Sequence, residues 1–231
     1  MMKKIKADGG RAMKISISEE IRRSCPGIGL GILYYTMEVK GSEGPVREAF
    51  DRTAALLAQR YQVSDIVNNP HIRETREAYK ALGKAPSTYR NSAEAMLRRI
   101  AQGKGLYYIN NAIEINNLFS VKTGYSLGTY DLDRIEGDVE LRRSPEGEHY
   151  RGIGKEAVNI GCLPVLYDAQ GAFGNPTSDS RRAMITDGVR RIMTVIYSFA
   201  PREELERAVE EYRALLQELC GVEDVTTEIL Q

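Results

Sequence analysis

The chain lacks several of the residue types on which common catalytic and metal sites depend. Its 231 residues include no tryptophan, two histidines and three cysteines. Cys25, Cys162 and Cys220 lie far apart and in no Cys-x-x-Cys spacing. We therefore expect neither a disulfide framework nor a metal site, and this cysteine usage fits a reducing cytoplasm. Two histidines also leave little room for a Ser-His-Asp or Cys-His arrangement, and none is visible in the sequence.

Nucleotide-binding loops and membrane spans are missing as well. The glycine-rich segments Pro26–Gly31 and Gly152–Lys155 match neither the G-x-G-x-x-G nor the Walker pattern, and we expect no cofactor. No stretch approaches the roughly 20 apolar residues of a membrane span. The basic segment Met1–Gly10 lacks the apolar run of a signal peptide. These features predict a soluble, cytoplasmic protein without a membrane partner.

Neither sign of charge is in excess, since 32 Lys and Arg residues balance 32 Asp and Glu residues. The protein as a whole therefore has no electrostatic field that would attract nucleic acid. Arginine nevertheless occurs in adjacent pairs, which either gather into a local basic patch or are scattered solvated charges. The pairs are Arg22-Arg23, Arg98-Arg99, Arg142-Arg143, Arg181-Arg182 and Arg190-Arg191.

The apolar residues that are present predict strands and helices in mixed order. The predicted strands are Met13–Ile17, Ile32–Val39, Gly161–Asp168 and Val189–Phe199. The predicted helices are Pro45–Tyr61, Pro70–Leu82, one between Ser92 and Gly103, and one from Pro201 to Gly221. This order favours an α+β fold in a single domain, 1–231. The apolar stripe of the last helix indicates core packing, with a homodimer interface as the alternative.

The stretch Tyr107–Gly137 carries the densest local signals. Asn111 is a predicted helix cap, Glu114 follows at the spacing of a capping box, and Gly124 is a predicted helix end. Asn116, Asn117 and Ser120 lie within one turn of that helix. A strand containing Gly128, a turn and a second half-buried strand follow. The pattern predicts a polar pocket where the helix and the first strand meet.

Several sequence blocks in this region resemble a known family. They are INNAIEINN, LGTYD, LDRIEG and DAQGAFGNPTSDSRRAMIT, together with HIRETREAY and SAEAMLRR. In order and spacing they resemble the tRNA-editing domain in the beta subunit of bacterial phenylalanyl-tRNA synthetase, and the chain looks like a free-standing relative of that domain. The resemblance is strongest over 70–199. It implies an α+β fold with a helical layer against β-sheets, on which the N-terminal elements 11–61 and the C-terminal helix 201–220 pack.

The chain departs from that family at three positions of the editing pocket. The family's threonine-asparagine pair is Asn116-Asn117 here, and its histidine on the following strand is replaced by Gly128. The glutamate with which the family recognises a tyrosine hydroxyl falls near Ala172. The resemblance therefore implies a pocket in the same place with a changed substrate preference.

The expected chemistry is hydrolysis of an aminoacyl-tRNA ester, which is already activated. Asn116, Asn117 and backbone N–H groups near Gly128 are candidate donors to the developing oxyanion. A substrate ammonium group needs an acidic partner, for which Asp131, Asp168 and Asp179 are candidates. Each of these is otherwise a turn-forming residue. The predicted substrate-binding set is Glu114, Tyr130, Asp131, Asp168, Ser178 and Asp179, with the loop 169–180 closing over the ligand.

The resemblance implies that the partner is the single-stranded 3′ end of tRNA. Such ends stack on aromatic side chains and are flanked by arginine. The candidate stacking residues are Tyr107, Tyr108, Tyr125 and Tyr130, each of which is otherwise a core residue. The candidate phosphate contacts are Arg73, Arg76, Arg98, Arg99, Arg181 and Arg182. The leading hypothesis is a trans-editing hydrolase that deacylates mischarged tRNA. The alternatives are a non-catalytic module that binds tRNA or an amino acid, and a small-molecule hydrolase or transferase that reuses the pocket.

Overall fold

A computed structural model describes residues 13–231 and confirms the α+β class. Within these residues the helices are α1 (Glu19–Ser24), α2 (Gly44–Arg60), α3 (Pro70–Ala81), α4 (Ser92–Ala101), α5 (Asn111–Thr123) and α6 (Arg202–Cys220). The strands are β1 (Ile15–Ile17), β2 (Gly29–Val39), β3 (Ser126–Asp131), β4 (Val139–Arg143), β5 (His149–Gly152), β6 (Lys155–Asn159), β7 (Pro164–Asp168), β8 (Gly171–Gly174), β9 (Gly188–Ser198) and β10 (Thr226–Leu230). The segment Met1–Gly10, considered above as a signal peptide, lies outside the described residues.

Two four-stranded sheets form the framework. The central sheet is antiparallel and has the strand order β10-β2-β9-β3, which places β3 at one edge. Strands β2 and β9 pair along their full length, from Gly29 opposite Ser198 to Val39 opposite Gly188. The outer sheet has the order β1-β4-β7-β8, in which β1 and β4 are parallel. Strands β5 and β6 form a separate hairpin.

The central sheet is buried on both faces. One face packs against the outer sheet, with Val195 and Leu166 in a common cluster. The other face packs against α5 and α6, where Leu33 lies among Phe119 and Val209. Burial on both faces explains the nearly continuous apolar sequence of β2 and β9. Helices α2, α3 and α4 share a further apolar cluster and extend the helical layer that the family resemblance implied.

The apolar stripe of α6 packs on the central sheet. Leu205, Val209, Tyr212 and Leu216 are all buried, and Leu219 is partly buried. The stripe is therefore explained by packing within the chain. The helix begins after Pro201 and ends at Gly221, whose φ of 66° is left-handed, as the sequence predicted.

The structure corrects two local predictions. The side chain that caps α5 is Asn110, which accepts a hydrogen bond from the Ile113 N–H (3.0 Å); it is not Asn111. Asn111 instead joins α5 to the end of β2, accepting from the Lys40 N–H (3.0 Å) and donating to the Glu38 carbonyl (2.9 Å). The predicted loop 169–180 contains strand β8 and is irregular only from residue 175 onward.

Candidate functional site

A buried cluster of polar side chains lies between the central and outer sheets. Tyr130, on β3, donates its hydroxyl proton to Asp179 Oδ1 over 2.8 Å and lies 2.9 Å from the hydroxyl of Tyr197, on β9. Its ring packs edge-on against Phe173, on β8. Burial away from water raises the pKa of the Asp179 carboxyl group from 3.8 to about 7, and the hydrogen bonds from Tyr130 and the Asn175 N–H offset only part of this rise. This cluster thus contains a carboxylate that is suited to exchange a proton near neutral pH.

Two glycines make room for the Tyr130 hydroxyl. A Cβ atom added at Gly128 or at Gly174 would overlap the phenol oxygen of Tyr130. Gly128 precedes Tyr130 by two residues, so both face the same side of β3 and the ring leans back over the glycine. The Gly-x-Tyr spacing in LGTYD is the signal that could have identified this arrangement from the sequence.

We predict that Gly128→Ala lowers the free energy of unfolding by about 1 to 3 kcal/mol, because the added methyl group overpacks this site. Denaturant unfolding monitored by circular dichroism would measure the change. Gly41→Ala is the matched control, since a Cβ there meets no atom within 4 Å. Equal stabilities of the two variants would show that the Tyr130 ring does not occupy the space over Gly128.

The segment that follows β8 is held firmly in place. Asn175 Oδ1 accepts from the N–H groups of Thr177 (2.7 Å) and Ser178 (3.1 Å), which forms a tight turn. Asn175 also donates through Nδ2 to the Tyr150 hydroxyl (2.6 Å). Tyr79, on α3, bonds the Thr177 hydroxyl over 2.8 Å. We call residues 175–180 the Asn175 turn; its bonds fix it to both the helical layer and the β5–β6 hairpin.

The two predicted amide donors differ in their surroundings. Asn116 is buried, and its Oδ1 accepts from the Thr129 hydroxyl over 2.9 Å. Asn117 is partly exposed, and its side chain forms no hydrogen bond within residues 13–231. Because alternate residues of β3 face opposite sides, Thr129 and Asn116 lie on the helical side of the central sheet. Asp179 bonds Tyr130 on the other side, so the structure does not bring Asn116 and Asp179 together.

The other predicted acidic residues are engaged by neighbouring groups. Asp131 lies 3.4 Å from Arg134 and 3.7 Å from Arg190 and accepts from the Asp133 N–H. Asp168 is bound by both terminal nitrogens of Arg182, at 2.8 and 3.0 Å. Glu114 is fully buried and accepts from the N–H of the loop residue before Asn110. Among these candidates, the carboxylates of Glu114 and Asp179 form no ion pair within residues 13–231.

A basic cleft of about 660 Å³ borders the Asn175 turn. It lies between α4 and β6, and Thr177 and Ser178 form part of its wall. The charged side chains that line it are all positive: Arg90, Arg98, Arg99 and Lys155. Tyr89 also lines the cleft.

The arginines beside the cleft are organised by one buried acid. Glu94, on α4, has no exposed surface and pairs with Arg76 (2.9 Å), Arg90 (3.7 Å) and Arg98 (2.9 Å). One carboxylate thus restrains three guanidinium groups, and the four side chains together keep a net positive charge. Sequence analysis missed Glu94 because an acidic residue in the first turn of a helix is ordinarily a helix-dipole partner.

The predicted phosphate contacts are only partly gathered in this cleft. Arg98 and Arg99 line the cleft, whereas Arg76 is not part of its lining and forms an ion pair with Glu94. Arg73 and Arg181 are exposed outside its lining, and Arg182 is held by Asp168. Sequence analysis also missed Arg90 and Lys155, since the Gly154-Lys155 pair was tested only as a nucleotide-binding motif.

Within residues 13–231 no helix is long and apolar enough to cross a membrane. In the same part of the chain, no three His, Cys, Asp or Glu side chains converge as metal ligands would.

The two packed sheets and the helical layer define an α+β fold. The whole chain superposes on 56% of an N-terminal fragment of the phenylalanyl-tRNA synthetase beta-subunit from Pyrococcus horikoshii, with a TM-score of 0.50 and 11% sequence identity. The chain belongs to the B3/4 domain family, which matches residues 74–221. The predicted resemblance is thereby confirmed.

Curated relatives support the same assignment. The phenylalanine–tRNA ligase beta subunit of Methylococcus capsulatus is 25% identical over 150 residues, which cover 52% of this chain and 18% of that subunit. The corresponding subunit of Bartonella quintana is 31% identical over 68 residues, which cover 29% of this chain and 8% of that subunit. The matched segments thus cover less than a fifth of the length of these relatives.

Proposed function

We propose that the protein binds the 3′ end of aminoacyl-tRNA and hydrolyses the ester of mischarged tRNA in trans. The observation that carries the proposal is the basic cleft beside the Asn175 turn. Its charged lining is entirely positive in a chain whose net charge is zero. A concave site of one sign attracts a polyanion locally even where the protein as a whole does not. The membership of the B3/4 family and the synthetase relatives support tRNA as that polyanion.

The cleft and the buried cluster are joined by the Asn175 turn. Thr177 and Ser178 line the cleft, and Asp179, the next residue, enters the cluster through its bond to Tyr130. A tRNA end held in the cleft would bring its ester towards this turn. A carboxylate with a pKa of about 7 is suited to accept a proton from an attacking water. Asn117, which lies on α5 outside the lining of the cleft, and the N–H groups at the outer edge of β3 are the proposed oxyanion donors.

A non-catalytic binding module is the second candidate. It is favoured because two of the proposed catalytic groups are already engaged within the protein. The Asn116 side chain is hydrogen-bonded to Thr129, and the Tyr130 hydroxyl fills the space over Gly128. Incubating the protein with a panel of aminoacyl-tRNAs distinguishes the two candidates. Accelerated release of one amino acid supports the hydrolase. Binding of tRNA without release supports the module, and neither binding nor release refutes both.

We predict that the double variant Arg99→Ala/Lys155→Ala weakens tRNA binding and makes it less dependent on salt. Each lost phosphate contact should reduce the slope of log affinity against log salt by about 0.7 to 0.9. These residues are chosen because neither contacts Glu94, whereas removal of Arg98 would disturb the buried acid. Filter binding at several salt concentrations would measure the slope.

The matched control is Arg202→Ala/Arg213→Ala, which removes the same charge from exposed positions on α6 outside the cleft. Its pairs with Glu206 and Glu210 are surface ion pairs of small energetic value. The control should retain the parental slope. If both double variants lose the same slope, tRNA does not bind in this cleft.

A further inference from the structure

The loop between α4 and α5 presents aromatic and apolar side chains to solvent. Tyr107 is 66% exposed, Tyr108 is 49% exposed and Ile109 is 57% exposed. Among the tyrosines that the sequence proposed for stacking, Tyr125 and Tyr130 are buried in the core. Of these four candidates, Tyr107 and Tyr108 are the two that a base could reach.

The loop is anchored on both sides of Tyr107. Leu106 packs against the apolar clusters of the helical layer. The Tyr108 hydroxyl donates to Asp51, and the Arg47 guanidinium lies over the Tyr108 ring at 3.2 Å. The Ile109 N–H is bound by Glu114 over 2.9 Å. Tyr108 is thus engaged by α2, whereas Tyr107 remains largely exposed between two anchored neighbours.

Arg99 connects Tyr107 to the basic cleft. Its guanidinium carbon lies 4.3 Å from the centre of the Tyr107 ring, and its Nε donates to the Gly105 carbonyl over 3.3 Å. Arg99 also lines the cleft. One face of the ring is therefore covered by a cation, and the exposure of the residue leaves the other accessible. The exposed Lys104 adds a further positive charge to the loop.

We infer that Tyr107 is a stacking platform for an unpaired base of an RNA whose phosphates lie in the basic cleft. The inference rests on the proposed function and specifies how the single-stranded end is held. Unpaired bases stack on aromatic side chains, and arginine strengthens such sites through cation–π contact and phosphate binding. The positive charges of Arg99 and Lys104 favour a nucleic acid over an uncharged apolar partner. Because the loop is already fixed, little ordering is needed on binding.

The absence of tryptophan from the chain allows a direct test. Tyr107→Trp introduces a single indole whose fluorescence should be quenched when a single-stranded RNA oligonucleotide is added. Tyr61→Trp is the matched control, because Tyr61 also lies beside an arginine, with Arg60 5.6 Å from its ring, but outside the cleft. Its fluorescence should not change. Quenching of both, or of neither, overturns the inference.

Affinity measurements separate stacking from other contacts. Tyr107→Ala should weaken binding of the oligonucleotide by about 5- to 100-fold, Tyr107→Phe should bind as the parent does, and Tyr107→Leu should resemble the alanine variant. Parental affinity of Tyr107→Leu would indicate a general apolar contact and overturn the inference. If the parent binds RNA and all Tyr107 variants bind equally, the inference alone fails. If the parent binds no RNA, the inference and the proposed function fail together.

Discussion

Replacing Asp179 with asparagine is expected to increase stability at pH 8 and to remove a pH dependence of folding. Burial away from water raises the pKa of the Asp179 carboxyl group from 3.8 to about 7. The folded state therefore binds this proton more tightly than the unfolded chain does. The resulting stabilisation is complete below pH 3.8, declines as the pH rises, and is lost above pH 7. A shift of about three pKa units corresponds to at most ~4 kcal/mol.

Asparagine imitates the protonated carboxyl group in shape and charge. Its amide oxygen can accept the hydrogen bonds that Tyr130 and the Asn175 N–H donate to Asp179 Oδ1, at 2.8 and 3.3 Å. Urea unfolding of the parent and of Asp179→Asn at intervals from pH 4 to pH 8 measures the difference. The variant should gain stability relative to the parent as the pH rises. Glu218→Gln, an exposed change on α6, should show no such gain.

A loss of stability in Asp179→Asn would contradict this expectation. If the variant is less stable than the parent at pH 8, the carboxylate is ionised in the folded protein and stabilised by its hydrogen bonds. It would then be a poor proton acceptor at neutral pH. The proposed role of Asp179 in activating water would have to be abandoned.

Replacing Asn117 with alanine is expected to slow deacylation by about 10²- to 10³-fold while tRNA affinity remains nearly unchanged. An oxyanion donor acts on charge that develops in the transition state, so its loss lowers kcat and kcat/KM together. The Asn117 side chain has no hydrogen bond within residues 13–231 and is partly exposed. Its removal should therefore change thermal stability little. Single-turnover deacylation of the aminoacyl-tRNA identified by the panel provides the measurement.

Asn116→Ala provides the matched comparison on the same helix. Asn116 is buried and bonded to Thr129, so its removal leaves a buried hydroxyl with one fewer partner. We expect this variant to lose about 1 to 3 kcal/mol of stability and to retain more activity than Asn117→Ala. A stable Asn117→Ala protein with parental deacylation would end the catalytic assignment. A larger loss of activity in Asn116→Ala would transfer that assignment to Asn116.

Much of the fold was predictable because long elements carry repeated signals. The ends of α3 and α6 and the extent of β9 follow from apolar periodicity and from stop signals such as Gly221. The start of β2 was predicted three residues late, at Ile32 instead of Gly29, because the glycines before it resemble a turn. Strand β10 was missed because its sequence, TTEIL, is short and its residues are all half-buried. It is defined by pairing with β2, about 190 positions earlier in the chain, and such pairing leaves little local signal.

The site was less predictable because it depends on which elements cover each face of β3. Alternation indicates that Tyr130 and Thr129 point to opposite sides, but only the packed structure shows that Asp179 lies on one side and Asn116 on the other. The basic cleft presents the same difficulty. Arg98 was predicted from its own helix, whereas Lys155 reaches the cleft from a hairpin that had not been predicted.

The arrangement of Glu94 among its arginines makes the effects of substitutions there interdependent. Replacing the acid alone would leave Arg76, Arg90 and Arg98 as mutually repelling charges. Replacing Arg76 and Arg98 alone would leave a buried carboxylate with only its most distant partner, and a poorly compensated buried charge is strongly destabilising. Single substitutions at these positions are therefore expected to cost more stability than combined ones. The four residues act as one electrostatic unit, on which both the positive charge of the cleft and the link between α3 and α4 depend.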